Sequence, residues 1–169
     1  YLIDNNLIKE SQAKSLVLFS LGGISELEKT ILKNVLVKPP DLLKAKSAVT
    51  GLPYFDLAGK DIPSDVLQLL PEDAVVHYKF LPLEKKGNKL AVGMVDPDDV
   101  EAREALKFIS VRGGFAPDVY VILDSDFVTV SQQYRNLGAE VTGALEQLGQ
   151  ELAEDSVKID SAEFTTEKV

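Results

Sequence analysis

The chain has 169 residues and no cysteine, so disulfide scaffolds, thiolate zinc sites and cysteine nucleophiles are excluded. A reducing compartment is the simplest expectation. A single histidine, His77, rules out any site needing two imidazoles, and no nucleophile elbow surrounds it. Arginine is scarce: Arg103, Arg112 and Arg135 are the only forked donors. With so few clustered cations, phosphate neutralisation along a nucleic acid is not expected, and nucleic acid is excluded as a partner. Long apolar runs are also missing. Leu16 to Phe19 and Ala74 to Val76 fall far short of the ~18 residues of a membrane span, so no membrane insertion is expected. The start, Tyr1-Leu2-Ile3-Asp4, carries neither an export signal nor an initiator Met, so the native chain is expected to begin earlier.

Hydrophobic residues make up 45% and charged residues 27%, a balance that fits one ordinary globular domain or two small subdomains in contact. The net charge of −9 is uneven: residues 1 to 60 are slightly basic, and the acidic excess lies entirely beyond them. A basic partner would favour the C-terminal part.

A repeat at an offset of 29 pairs Leu2-Ile3-Asp4-Asn5-Asn6-Leu7-Ile8-Lys9 with Ile31-Leu32-Lys33-Asn34-Val35-Leu36-Val37-Lys38. Two copies are too few for a solenoid. Each reads as the end of one helix, a short apolar connector and the start of the next. The spacing predicts helices from Glu10 to Phe19 and from Pro40 to Val49, the latter opened by Pro39-Pro40 and ended by Gly51. Between them Ser25 and Glu28 read as a capping box for a helix running to about Asn34. The apolar faces are Leu16, Leu27, Ile31, Leu42 and Ala45. The pairs Leu7-Ile8 and Leu36-Val37 read as core, with a ligand groove between the repeats as the alternative.

Beyond Gly51 the helical period stops, and Leu52 to Leu57 reads as an extended connector. Pro63 opens a short helix to Leu70, and Ala74 to Tyr78 is ambiguous between helix and strand. Phe80 to Leu83 and Lys89 to Val95, separated by Lys85-Lys86-Gly87-Asn88, predict an antiparallel hairpin. Asp96-Pro97-Asp98-Asp99 reads as the cap of a helix from Val100 to about Ser110, with Asp96 as N-cap and Pro97 at the first position. Arg112-Gly113-Gly114 ends it, and Pro117 to Leu123 predicts a strand reached by a parallel crossover. A helix follows from Ser125 to Asn136, capped by Asp124 or Ser125. Another pattern runs from Gly138 to Leu152, and residues 154–169 read as a linker. The expected fold is α+β: a helical subdomain (1–50), a subdomain with a three-stranded mixed sheet built from a hairpin and a βαβ unit packed with helices (51–136), and a C-terminal helix with linker (137–169).

No phosphate loop is present, since Gly59-Lys60 and Lys29-Thr30 both lack the preceding glycines, and no nucleotide hydrolysis is expected from this segment. Asp96, Asp98 and Asp99 suggest a calcium loop, but an EF-hand would need glycine and glutamate where Glu101 and Lys107 stand, so helix capping is the reading and no metal site is assigned. His77 reads as a partly buried packing residue. No catalytic set of acid, base and nucleophile converges.

Four blocks carry a family likeness: Gly51-Leu52-Pro53-Tyr54-Phe55-Asp56-Leu57, Leu70-Pro71-Glu72, Leu81-Pro82-Leu83, and Leu90-Ala91-Val92-Gly93-Met94-Val95-Asp96-Pro97. In order and approximate spacing they resemble the N-terminal domain of the assembly ATPases of type II secretion and type IV pilus systems, over about residues 1 to 136. The resemblance implies a non-catalytic, cytoplasmic domain held at the inner membrane through its partners. Its expected partner is an inner-membrane platform or adaptor protein. Its parent would be a homohexameric ATPase using ATP and Mg in a motor domain outside this segment. As the alternative, some members of that family sense cyclic di-GMP through two helical motifs. Laid on this chain, those motifs imply Asn6, Leu7, Leu27, Ile31, Val35 and Leu36 as ligand contacts. Glu26-Leu27-Glu28 stands where the family has Arg-Leu-Gly, and Asn6 and Val35 stand at its glycines, which removes a cationic stacking partner and a close backbone approach.

Overall fold

The computed structural model describes residues 1–19, 23–34, 36–134 and 136. It divides into two compact units, Tyr1–Gln132 and Gln133–Val169. The sequence readings for Gly138 to Leu152 and for residues 154–169 lie outside the described residues.

The first unit opens with a closed turn, followed by α1 (Glu10–Phe19), α2 (Ile24–Lys33) and α3 (Pro39–Thr50). The repeat has a structural meaning. Asn6 sits in the left-handed region at φ 54°, and the Leu7 amide donates back to Leu2 O at 2.9 Å. One repeat later the Leu36 amide donates to Ile31 O at 3.2 Å, the same five-residue return. Each copy ends a helical turn in this way and sends the chain onward through an apolar pair. Gln12 then accepts from the Lys9 amide at 2.8 Å, half of a capping box at the head of α1. Gly51 closes α3 at φ 70°.

The capping box expected at Ser25 and Glu28 does not form. Gly23 is the N-cap of α2, no side chain caps it, and Glu28 is buried a turn further along. Its carboxylate is claimed by a lysine described below, which outweighs the local bond to a backbone amide.

A connector passes beside the sheet, where the Phe55 amide donates to Val121 O at 3.0 Å and the Val121 amide to Pro53 O at 2.8 Å. The short α4 (Ser64–Leu67) stops well before Leu70, and α5 (Glu72–Tyr78) resolves the ambiguous stretch as helix. Val75 is fully buried from it, and it ends with Lys79 in the left-handed region. His77 is exposed on α5 with its ring edge-on to Tyr78, not partly buried: it points away from the stripe that Val75 buries.

Strands β1 (Phe80–Lys86) and β2 (Lys89–Met94) form an antiparallel hairpin, and β3 (Ala116–Val121) pairs parallel to β2 in the order β1-β2-β3. Pro82, which lacks an amide donor, is accommodated because β1 is an edge strand, and the register shifts between Pro82 and Glu84. Gly93 on the central strand is a close approach: a Cβ there would lie 2.6 Å from Ile122 Cγ2.

Helix α6 (Val100–Gly113) makes the crossover. Its N-cap is Asp99, whose carboxylate accepts from the Glu101 and Ala102 amides at 2.9 and 3.2 Å. Asp96, expected in that role, instead accepts from the Asp98 amide within the preceding turn. Three residues separate it from Val100, too far for it to reach the helix's free amides. A last helix, α7, begins at 124 and continues to the end of the first unit at residue 132. Asp124 is therefore inside its first turn and not its cap, because its buried carboxylate is held by Lys79.

Candidate functional site

Ile8, Leu16, Ile31, Val37, Leu42 and Leu43 form the helical core, joined by Leu123 from beyond the sheet. A groove of about 360 Å³ opens beside this core, between the N-terminal turn, α2 and α3. Its walls are apolar: Leu2 and Ile3 from the turn, Ile24, Leu27 and Ile31 from α2, Leu42, Ala45 and Val49 from α3. Glu28, Lys46, Thr50 and Asp98 are its polar edges.

Glu28 lies on the same stripe of α2 as Ile24 and Ile31, and Lys46 on the same stripe of α3 as Leu42 and Val49. A charge at an apolar phase must find a partner when buried. The Lys46 ammonium donates to Glu28 Oε1 and, at 2.8 Å each, to the carbonyls of Val95 and Ile122. Its three donors are thereby committed. The other Glu28 oxygen accepts from the Asp124 amide at 2.9 Å. Asp124 takes the Lys79 ammonium at 3.1 Å, and Lys79 also donates to Ser25 at 2.9 Å. Burial pushes the Glu28 carboxyl above its ordinary value, against the opposing pull of Lys46 and the Asp124 amide.

The structure distributes the sequence-derived ligand residues unevenly. Leu27 and Ile31 line the groove. Leu7 and Leu36 pack half-buried against the helical core and do not line it. Asn6 is an exposed turn residue, and Val35 lies outside the described residues. Sequence reasoning missed Glu28 and Lys46 as groove residues, and Asp98 at the rim. The signal was present for the first two as opposite charges in apolar phase on successive helices. Chemically, the groove offers apolar contact and carboxylate oxygens, and its one ammonium has no donor left for an incoming anion.

The MshEN domain profile matches residues 50–140, more than half of the chain. The chain belongs to the MshEN domain family. Among curated proteins it is similar to the type IV pilus assembly ATPase PilB of Thermus thermophilus, 26% identical over 136 residues that are 80% of this chain and 15% of that protein. PilB of Myxococcus xanthus is 24% identical over 109 residues, 64% of this chain and 19% of its own. The chain thus spans about a fifth or less of these relatives. Bacteriophage adsorption protein B of Escherichia coli is 27% identical over 105 residues, 62% of this chain and 14% of that protein. Among solved structures, "Structure of MshE with cdg" superposes with TM-score 0.60 at 22% identity, covering 79% of this MshEN chain and 94% of that one. An N-terminal domain of XpsE superposes at 0.54 and 21% identity, covering 78% and 88%. These likenesses show a shared α+β fold. Among the described residues no helix is long and apolar enough to cross a membrane.

Proposed function

We propose that this MshEN domain is the non-catalytic interaction module of a secretion or type IV pilus assembly motor, and that it couples the motor to an inner-membrane platform or adaptor protein. The parent is then a hexameric ATPase whose ATP and Mg are held elsewhere, and the domain works at the cytoplasmic face through its partners. The observation that carries this reading is the groove: apolar walls, carboxylates at its edges, and a lysine already saturated by protein acceptors. Such a site favours apolar side chains of a protein over an anion. The match to bacteriophage adsorption protein B, whose name is not that of an ATPase, supports a portable binding module over a part of the hydrolytic machinery. Co-purification of the domain with the cytoplasmic part of its cognate platform protein tests it. Stable association is expected, and none at ~50 µM, with the domain folded, overturns it. A phosphate loop in the chain that follows residue 169 is also expected.

A second reading is a cyclic di-GMP sensor. It is supported by the fold shared with MshE, whose structure is described with cdg, and by the doubled connector that places Leu27 and Ile31 at a groove. Against it stand Glu26 and Glu28 where the family's motif has arginine and glycine. Calorimetry with cyclic di-GMP separates the two: saturable binding lost in Leu27→Asp supports the sensor, and no heat of binding leaves the interaction module.

A further inference from the structure

Helix α6 carries a second feature, unrelated to the groove. Ala102, Leu106 and Ser110 are buried beneath it. On the opposite side Val100, Arg103, Glu104, Lys107, Phe108 and Val111 are all exposed, with Val100 at 65%, Phe108 at 69% and Val111 at 77%. Their spacing puts them on a single stripe. Three large apolar side chains in water on one helix face are more than scattered surface residues. Arg103, Glu104 and Lys107 make no ion pair among the described residues, although Glu104 and Lys107 are three apart on the helix, and Lys14 and Lys29 do pair with acids at comparable spacing on theirs.

The order of these six residues is self-complementary. Turned end for end about the point midway between Glu104 and Lys107, the stripe sets Val100 opposite Val111, Arg103 opposite Phe108, and Glu104 opposite Lys107, each pairing occurring twice. We propose that α6 is an isologous docking surface for a second copy of this chain, packed antiparallel across a two-fold axis. Each Glu104 meets Lys107 of the second copy, each Arg103 lies over Phe108 of the second copy, and the valines close the two ends. The shallow depression lined by Val100, Arg103, Glu104 and Lys107 receives the Phe108 ring of the second copy. One helix face of 14 residues is a small contact, at the low end of specific interfaces, below about 1,200 Å² in total, so the dimer is a weak one that assembles at high local concentration.

Sedimentation velocity on the full 169-residue chain, from about 5 to about 500 µM, reads the association directly. A monomer–dimer equilibrium is expected, and a monomer throughout overturns the proposal. Glu104→Lys and Lys107→Glu each place like charges face to face, and each should weaken self-association about tenfold or more. Mixed in equal amounts, the two variants should dimerise with each other as well as or better than the parent chain, because every charge pair is then restored. The double variant E104K/K107E should likewise recover. These positions are solvent-exposed, so far-UV circular dichroism should be unchanged and loss of folding does not confuse the result. Single variants that associate like the parent, or a mixture that fails to recover, would show that α6 does not meet itself in this register.

Discussion

Replacing Lys46 by Met is the sharpest test of the buried network. The substitution leaves the Glu28 carboxylate without its cation and takes the donor from the carbonyls of Val95 and Ile122. Removing one member of a buried pair costs about 3–5 kcal/mol, and each stranded carbonyl adds about 1–3 kcal/mol where water cannot enter. The sum rivals the whole stability of an ordinary domain, about 5–15 kcal/mol. Glu28→Leu should be milder, at about 3–4 kcal/mol, since Lys46 keeps two carbonyls while the Asp124 amide loses its acceptor. The double variant E28L/K46M holds no buried charge and strands only three backbone groups, at about 1–3 kcal/mol each. It should therefore be more stable than K46M alone, at about 3–9 kcal/mol below the parent, with a coupling energy of about 3 kcal/mol or more. Urea unfolding followed by far-UV circular dichroism gives all four corners of the cycle. A loss below about 1 kcal/mol for K46M, or two single effects that add within about 0.5 kcal/mol, would refute the reasoning.

Three further outcomes are expected. Gly93→Val should destabilise by about 2 kcal/mol or more, because its Cβ would stand 2.6 Å from Ile122 Cγ2, with Leu83 Cδ1 also close at 3.2 Å, and thermal unfolding measures it. Asp99→Ala should cost about 1 kcal/mol through the two amides it caps, while Asp96→Ala should cost less, an order readable in chemical denaturation and reversed if Asp96 were the cap. Burial raises the Glu28 carboxyl above 4.5, so the folded state binds that proton more tightly than the unfolded one. Its contribution is complete below pH 4.5 and is lost as pH rises through the raised value. The stability of the parent minus that of Glu28→Gln should thus fall as pH rises from 4.5, and a rising difference would contradict the shift.

Much of the frame was legible because period and punctuation agreed. The α1 span, the Gly51 and Gly114 stops, the hairpin and the parallel third strand all follow from apolar spacing interrupted by Gly, Pro and polar turns. What was misread has a common cause, which is that a short-range signature was matched by a long-range partner of greater worth. Ser25 and Glu28 have the spacing of a capping box, yet Glu28 serves Lys46, 18 residues away, and Ser25 accepts from Lys79, 54 residues away. Asp124 stands where a cap belongs, yet its carboxylate is held by Lys79. For α6 the start at Val100 was legible, but Asp96 lies too far ahead of it to cap it, and the cap is Asp99, the residue directly before the helix. At the groove, Leu27 and Ile31 could be found from the repeat. The 29-residue offset alone could not separate side chains facing the groove from Leu7 and Leu36, which face the core.

Lys46 reaches across 49 residues to Val95 and across 76 to Ile122. A contact of that span is a knot tied only after both ends of the chain have arrived, which places its formation late in folding. Severing the polypeptide near Gly51 would accordingly leave the ammonium with Glu28 as its one acceptor, and just past the ends of β2 and β3 two carbonyls with nothing to hold. Within the first unit, one buried ammonium thus ties the helical part of the sequence to the sheet.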